Sequence, residues 1–277
     1  VSGGMTLMVY VLVGAQGAGW LSARTLGLGA AAGLLLVLFV LRQRTSADPL
    51  LPLRIFRHRA LRGANVVAAL INMAIGPVIF FLSLYTQQVL GYSALAAGLA
   101  IVPIILTVTI SSTMAGWLLR RMSQRAVMTT GLLLFAAGLL WMYGISGGAY
   151  WTELLGPECL VGLGGGLVFV TFTVSGTSDL DERDAGSASG VLTTAQKIGA
   201  AFGLAILTTL AGSATGTAGD ALLEGYRTAI LAAVVPVLLA LVATAVWLPG
   251  AASRPAGPRF DGAGPKRRGA PRPGRRR

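Results

Sequence analysis

The chain has 277 residues, 54% hydrophobic and 12% charged, with a mean hydropathy of +0.72 and a formal net charge of +12. A soluble domain carries about a quarter charged residues, so the composition excludes an ordinary water-soluble fold and points to an all-α integral membrane protein. The one cysteine, Cys159, excludes an internal disulfide.

A helix that crosses the hydrocarbon core needs about 20 largely apolar residues. Eight such transmembrane helices are expected, over residues 5–21, 26–41, 62–84, 95–119, 126–144, 153–175, 186–211 and 227–248. None shows the period-two alternation that a barrel strand carries over about ten residues. No leader peptide is expected, since the first run lacks a basic start and a cleavage site and is followed by more spans.

In chain order, the first run carries Gln16 and several glycines, and the second is short. Asp48, Pro49 and Pro52 then break the chain ahead of a short basic segment. The third run holds Asn65, Asn72 and Pro77, with Gln87 and Gln88 just past its end. The fourth contains Pro103 and leads into the basic turn Arg120, Arg121 and Arg125. The sixth carries Pro157, Glu158 and the run Gly162 to Gly166, which lacks the spacing of a nucleotide loop and reads as helix packing. The seventh carries Thr193, Thr194, Gln196 and Lys197, and the eighth Pro236. Gly162 with Gly166, Gly186 with Gly190, and Gly199 with Gly203 repeat at the spacing that lets bilayer helices approach closely. The prolines each remove a backbone hydrogen bond and are expected to bend their helices.

Short loops rich in Lys and Arg stay on the cytoplasmic side. Nineteen of the 22 basic residues fall in the second, fourth and sixth connections and in the tail. The expectation is a multi-pass protein of the cytoplasmic membrane with both termini of this chain in the cytoplasm. The tail, with nine basic residues among Pro and Gly, reads as a disordered arm near anionic lipid rather than a nucleic-acid binder.

Charged groups inside a span are expensive and mark functional sites or paired structure. Lys197 lies about a dozen residues into its span, roughly 18 Å deep at 1.5 Å per residue. It is either functional or a neutral or snorkelling lysine. Glu158, the only acid expected within a span, is a candidate proton carrier and a possible partner of Lys197; the alternative is a side chain reaching outward beside Glu153. Asn72, Gln87, Gln88, Thr193, Thr194 and Gln196 are candidates for a substrate path, each equally explained by helix-to-helix bonding. Tyr85, Phe169 and Phe172 are candidates to line a cavity, whereas Trp20, Tyr92, Tyr150 and Trp151 read as interface anchors. The acidic cluster around Asp184 reads as a helix start. No metal-ligand cluster, nucleophile–base pair or P-loop is legible, so neither an enzyme nor a cofactor is expected.

Taken together, five segments resemble the fourteen-span drug:proton antiporter family of the major facilitator superfamily, from about Gly17 to Leu248. They are GAGWLSARTLGLG (17–29), ADPLLPLRIFRHRALRGAN (47–65), SLYTQQVLGYSALAAGLAIVP (83–103), AGWLLRRMSQRAVMTTGLLL (115–134) and DAGSASGVLTTAQKIGAAFGLAIL (184–207). The resemblance covers the later part of such a transporter and implies a partial major facilitator fold. It implies a central helix pair over 1–42, a basic cytoplasmic linker over 43–61, a six-helix bundle over 62–250 and the tail over 251–277. Gly116, Leu118, Arg121 and Arg125 look like the C-terminal echo of the family's cytoplasmic loop motif, with Arg120 in place of its aspartate and Ser123 in place of its second glycine. The family's acidic residue in the first helix and its Gly-Pro antiporter motif have no counterpart.

What the resemblance implies is proton-coupled efflux of amphipathic small molecules across the bilayer, with an N-terminal six-helix bundle as the other half. The alternative is a non-transporting accessory or remnant subunit that assembles with other helices.

Overall fold

A computed structural model describes residues 22–45, 53–145, 148–178, 180, 182–211 and 218–248. Its elements are α1 (Ala23–Thr45), a 3-10 turn (Leu53–Arg57), α2 (Arg59–Gln88), α3 (Ala94–Ala100), α4 (Val102–Leu118), α5 (Gln124–Tyr143), α6 (Tyr150–Glu153), α7 (Leu155–Thr177), α8 (Glu182–Ala211) and α9 (Ala218–Trp247). No strand occurs among the described residues. The expected span at 5–21 and the basic tail lie outside them.

Among the described residues, five stretches are long and apolar enough to cross a membrane: Arg59–Gln88, Ala94–Leu118, Gln124–Tyr143, Leu155–Thr177 and Glu224–Trp247. The run expected at 26–41 is α1. The run expected at 186–211 is α8, which is equally long but less apolar because Thr193, Thr194, Gln196 and Lys197 interrupt it.

Two of the four in-span prolines break their helices rather than bend them. Pro103 stands in the first turn of α4, and Ile101 separates it from α3. Pro157 stands in the first turn of α7, just beyond Leu154 and the four-residue α6. A proline has no N–H to offer the fourth carbonyl back and its ring crowds that turn, so the helix restarts there. Pro77 and Pro236 remain inside continuous helices. Gly91, with φ of 68°, sits in the turn beyond α2, where the Leu90 N–H donates to the Tyr85 carbonyl and the Tyr92 N–H to the Thr86 carbonyl.

Packing follows the small residues. α2 lies against α8 and α9, and α7 lies against α4 and α5. A Cβ at Gly199 would meet the Ala69 carbonyl oxygen and one at Gly203 the Met73 carbonyl oxygen, so α2 and α8 touch backbone to backbone. Gly162 and Gly166 hold the same relation to Ile104 and Val108 of α4. Gly164 does so toward α5, where a Cβ would stand 2.5 Å from both the Gly131 carbonyl oxygen and the Phe135 nitrogen. The third spaced pair departs from expectation: Gly186 and Gly190 have nothing within 4 Å of a Cβ.

The outward faces of α5 and α9 are aliphatic. Val235, Leu239, Val242 and Val246 are exposed along one side of α9, and Leu133 and Leu140 along α5, as lipid-facing positions require.

The 3-10 turn folds onto the start of α8. Ile55 of the 3-10 turn is fully buried against Leu61 and Ala188, and the Arg54 guanidinium donates to Asp184 Oδ1 at 3.3 Å. Asp184 therefore pairs with the linker from within the first turn of α8. The Arg54 side chain is 69% exposed, so Arg54→Ala is expected to cost under about 1 kcal/mol in a detergent unfolding titration, leaving Ile55 as the main tether.

Candidate transport site

Glu158 is fully buried, four residues into α7. It faces inward, not outward beside Glu153, whose Oε2 accepts from the Gly148 N–H at 3.0 Å. Its partner is Tyr150 of α6, whose Oη lies 2.8 Å from Glu158 Oε2 and 2.8 Å from the Ala100 carbonyl oxygen. That carbonyl is one of the last of α3, which lack in-helix partners. The two helix breaks that Pro103 and Pro157 mark thus meet at one hydroxyl.

A phenol has a single proton to donate. If it goes to Ala100, the contact with Glu158 is completed by a carboxyl proton donated to Tyr150. If it goes to Glu158, the Ala100 carbonyl is left with a close oxygen and no hydrogen. Burial, and then the bond to Glu158, push the Tyr150 phenol above its ordinary range, so it stays protonated at physiological pH. Glu158 Oε1 is buried without a hydrogen-bond partner.

Lys197 is elsewhere. It is exposed on α8 and forms no ion pair with Glu158, whose contacts come from α6 and the end of α3. Similar depth makes the two plausible partners in the sequence, but Glu158 is buried against Tyr150 while Lys197 is exposed. Thr193 is exposed too and donates to the Ser189 carbonyl within its own helix, while Thr194 and Gln196 are half-buried. Gln87 and Gln88 are exposed at the end of α2, Gln87 donating to Ser83. Around the basic turn between α4 and α5, Gly116 has open space around it, Leu118 is half-buried and Arg125 is exposed. The Arg121 guanidinium lies 4.2 Å from the centre of the Trp117 ring, a cation–π contact. Ser123 caps α5 by accepting from the Ala126 N–H.

Of the expected path residues, Asn72 lines a cavity among the described residues. That space, about 320 Å³, lies between α2, α4, α5 and α7, with Ile75, Ile104, Val108, Phe135 and Phe169 among its walls. Phe169 meets its expectation. Tyr85 and Phe172 are fully buried core side chains. Gly165 forms part of the floor.

Two features escaped the sequence reading. Tyr150 was read as an interface anchor, although a tyrosine eight residues ahead of a lone in-span acid, with a proline between them, was the available signal. Gly165 was hidden inside a glycine run whose other members pack against backbone.

The fold and the buried acid define a helical, multi-pass membrane protein. A family model described as Major Facilitator Superfamily matches residues 1–204, and the chain belongs to that family. It is similar to a cephamycin export protein of Amycolatopsis lactamdurans, 35% identical over 258 residues that are 92% of this chain and 53% of that protein. A puromycin resistance protein of Streptomyces alboniger is 34% identical over 87% of this chain and 50% of its own length. A tetracenomycin C resistance and export protein of Streptomyces glaucescens is 31% identical over 78% of this chain and 40% of its own. The chain spans about half the length of the first two of these curated relatives.

Proposed function

We propose that the chain forms the C-terminal part of a proton-driven exporter of amphipathic small molecules in the cytoplasmic membrane. The reading follows the relatives, whose names describe export of or resistance to antibiotics. In it the chain works as a transporter rather than an enzyme, with both of its ends in the cytoplasm and an N-terminal six-helix bundle completing the substrate path. The central pair, linker, bundle and tail divide at residues 42, 61 and 250, as the basic connections suggest.

The observation that carries the coupling is Glu158: fully buried, with no ion pair among the described residues, and sharing one hydroxyl with a backbone carbonyl. In the proposed cycle Glu158 takes a proton from the outer side, and losing that proton toward the cytoplasm is tied to the passage of substrate. Lys197 and the other polar residues of α8 stand on a face that the second bundle would cover, where a basic group orients substrate or counters charge.

The test uses inverted vesicles carrying the chain, alone and together with the first six spans of a relative, loaded by a proton gradient. Gradient-dependent movement of a lipophilic fluorescent probe is expected in the joint preparation, and Lys197→Ala is expected to slow it about tenfold, as loss of an in-membrane functional charge would. Movement that ignores the gradient would refute proton coupling. No movement in any preparation would favour the accessory-subunit reading, which the half-length match to the relatives makes the natural rival.

A further inference from the structure

We propose that the cavity between α2, α4, α5 and α7 is a binding pocket of this bundle's own, selective for the uncharged, lipophilic part of a molecule that carries one hydrogen-bond acceptor. The proposal rests on the export reading and names the class of substrate it handles.

Position is the first argument. Asn72 stands near the middle of the 30-residue α2, Phe135 near the middle of the 20-residue α5, and Gly165 near the middle of the 23-residue α7. The cavity is therefore at mid-depth in the bilayer, where a ligand must shed its water. None of its lining residues is charged. A charged ligand group there would lose its hydration and gain no counter-ion, so the walls select against it.

Polarity is the second. Asn72 donates one amide N–H to the Ala68 carbonyl at 2.8 Å. A side-chain amide has two such hydrogens and a carbonyl oxygen, so one donor and an acceptor remain for the cavity. Thr109, also on the wall, spends its proton on the Ile105 carbonyl at 2.8 Å and offers only lone pairs. The pocket thus holds one side-chain donor amid aliphatic and phenyl surface, which fits a ketone, ester or amide oxygen on a hydrophobic body.

Shape is the third. Gly162, Gly164 and Gly166 are pressed against neighbouring backbone, but a Cβ at Gly165 would meet only the Phe135 ring at 3.8 Å and Val108 at 4.0 Å. Close packing does not explain this glycine, and its missing side chain enlarges the cavity floor. A volume of about 320 Å³ lies at the lower end of the range for small-molecule pockets. Ile79, Ile105 and Phe169, each exposed, stand at its mouth.

The experiment is photolabelling of the full chain in lipid nanodiscs without a proton gradient. The probe is benzophenone, a neutral aromatic ketone that inserts into nearby C–H bonds, beside its 4-carboxylate and 4-trimethylammonium derivatives. Benzophenone is expected to label the peptides containing Ile75 to Ile79 and Ile104 to Val108, and the charged derivatives are not. Gly165→Leu, which fills the floor, and Ile105→Trp, which narrows the mouth from an exposed position, are each expected to cut labelling at least about tenfold; Asn72→Leu is expected to cut it to a similar degree by removing the donor. Ile105→Trp keeps the test decisive if Gly165→Leu fails to fold. Labelling by the charged derivatives at the same peptides, or labelling that ignores both size substitutions, would overturn the proposal. Normal labelling with no gradient-driven movement in vesicles would refute the export reading alone.

Discussion

Glu158→Gln leaves the chain folded and lowers gradient-driven export at least about a hundredfold, the scale on which a positioned proton-transfer group acts. The glutamine amide has the same shape and can donate to Tyr150 Oη, which frees the phenolic proton for the Ala100 carbonyl. Every contact of the resting arrangement is kept, and only the ability to release a proton is lost. Tyr150→Phe separates the two roles. It removes the shared hydroxyl, leaves the Ala100 carbonyl and Glu158 Oε2 without their partner, and costs about 1–3 kcal/mol of stability as buried unpaired groups do. The measurements are vesicle export and detergent unfolding on the same preparations. A Glu158→Gln protein that exports at the parent rate, with the parent's dependence on the gradient, removes Glu158 from the cycle.

The second large effect concerns the seam between α2 and α8. Gly199→Leu and Gly203→Leu each force a side chain into the carbonyl of Ala69 or Met73, and neither helix can yield without separating from the other. Overpacking of a well-fitted interface costs about 1–3 kcal/mol even where side chains can shift, and rigid backbone at the contact puts these substitutions at or beyond the upper end. The expected result is loss of the monodisperse peak in size-exclusion chromatography, with a lowered midpoint in thermal unfolding. Gly186→Leu and Gly190→Leu, with the same spacing between three and four turns earlier, are expected to leave both readouts unchanged because their surroundings are open. Equal damage from all four would mean that glycine is needed for the helix itself rather than for the seam.

These cases also show what kind of information the sequence carried. Span length and the depth of Lys197 and Glu158 follow from a fixed rise per residue, so both were legible. Which side chain meets which depends on how the helices are set against one another, and the group that Glu158 touches is the Tyr150 hydroxyl rather than Lys197. The glycine spacing identified Gly162, Gly166, Gly199 and Gly203 as contact points, yet could not tell them from Gly186 and Gly190 without the opposing surface. A cavity is harder still, because it consists of the side chains that fail to fill a space. Asn72 and Phe169 were singled out for their chemistry, but Gly165 matters for what it lacks. The helix breaks near Pro103 and Pro157 were expected only as bends, since a proline ends or kinks a helix according to how far from an end the tertiary fold puts it.

The unequal lengths of the bundle's helices bear on the lipid they need. α5, with 20 residues, is about 30 Å long and matches a typical hydrocarbon core, whereas the 30 residues of α2 extend about 45 Å. Within one bundle they cannot both fit one slab upright, so α2 leans or projects its first turn, with Arg59 and Arg62, into the phosphate layer. Insofar as that rod leans, its angle follows acyl chain length, and the thickness of the surrounding membrane becomes a mechanical input to the protein.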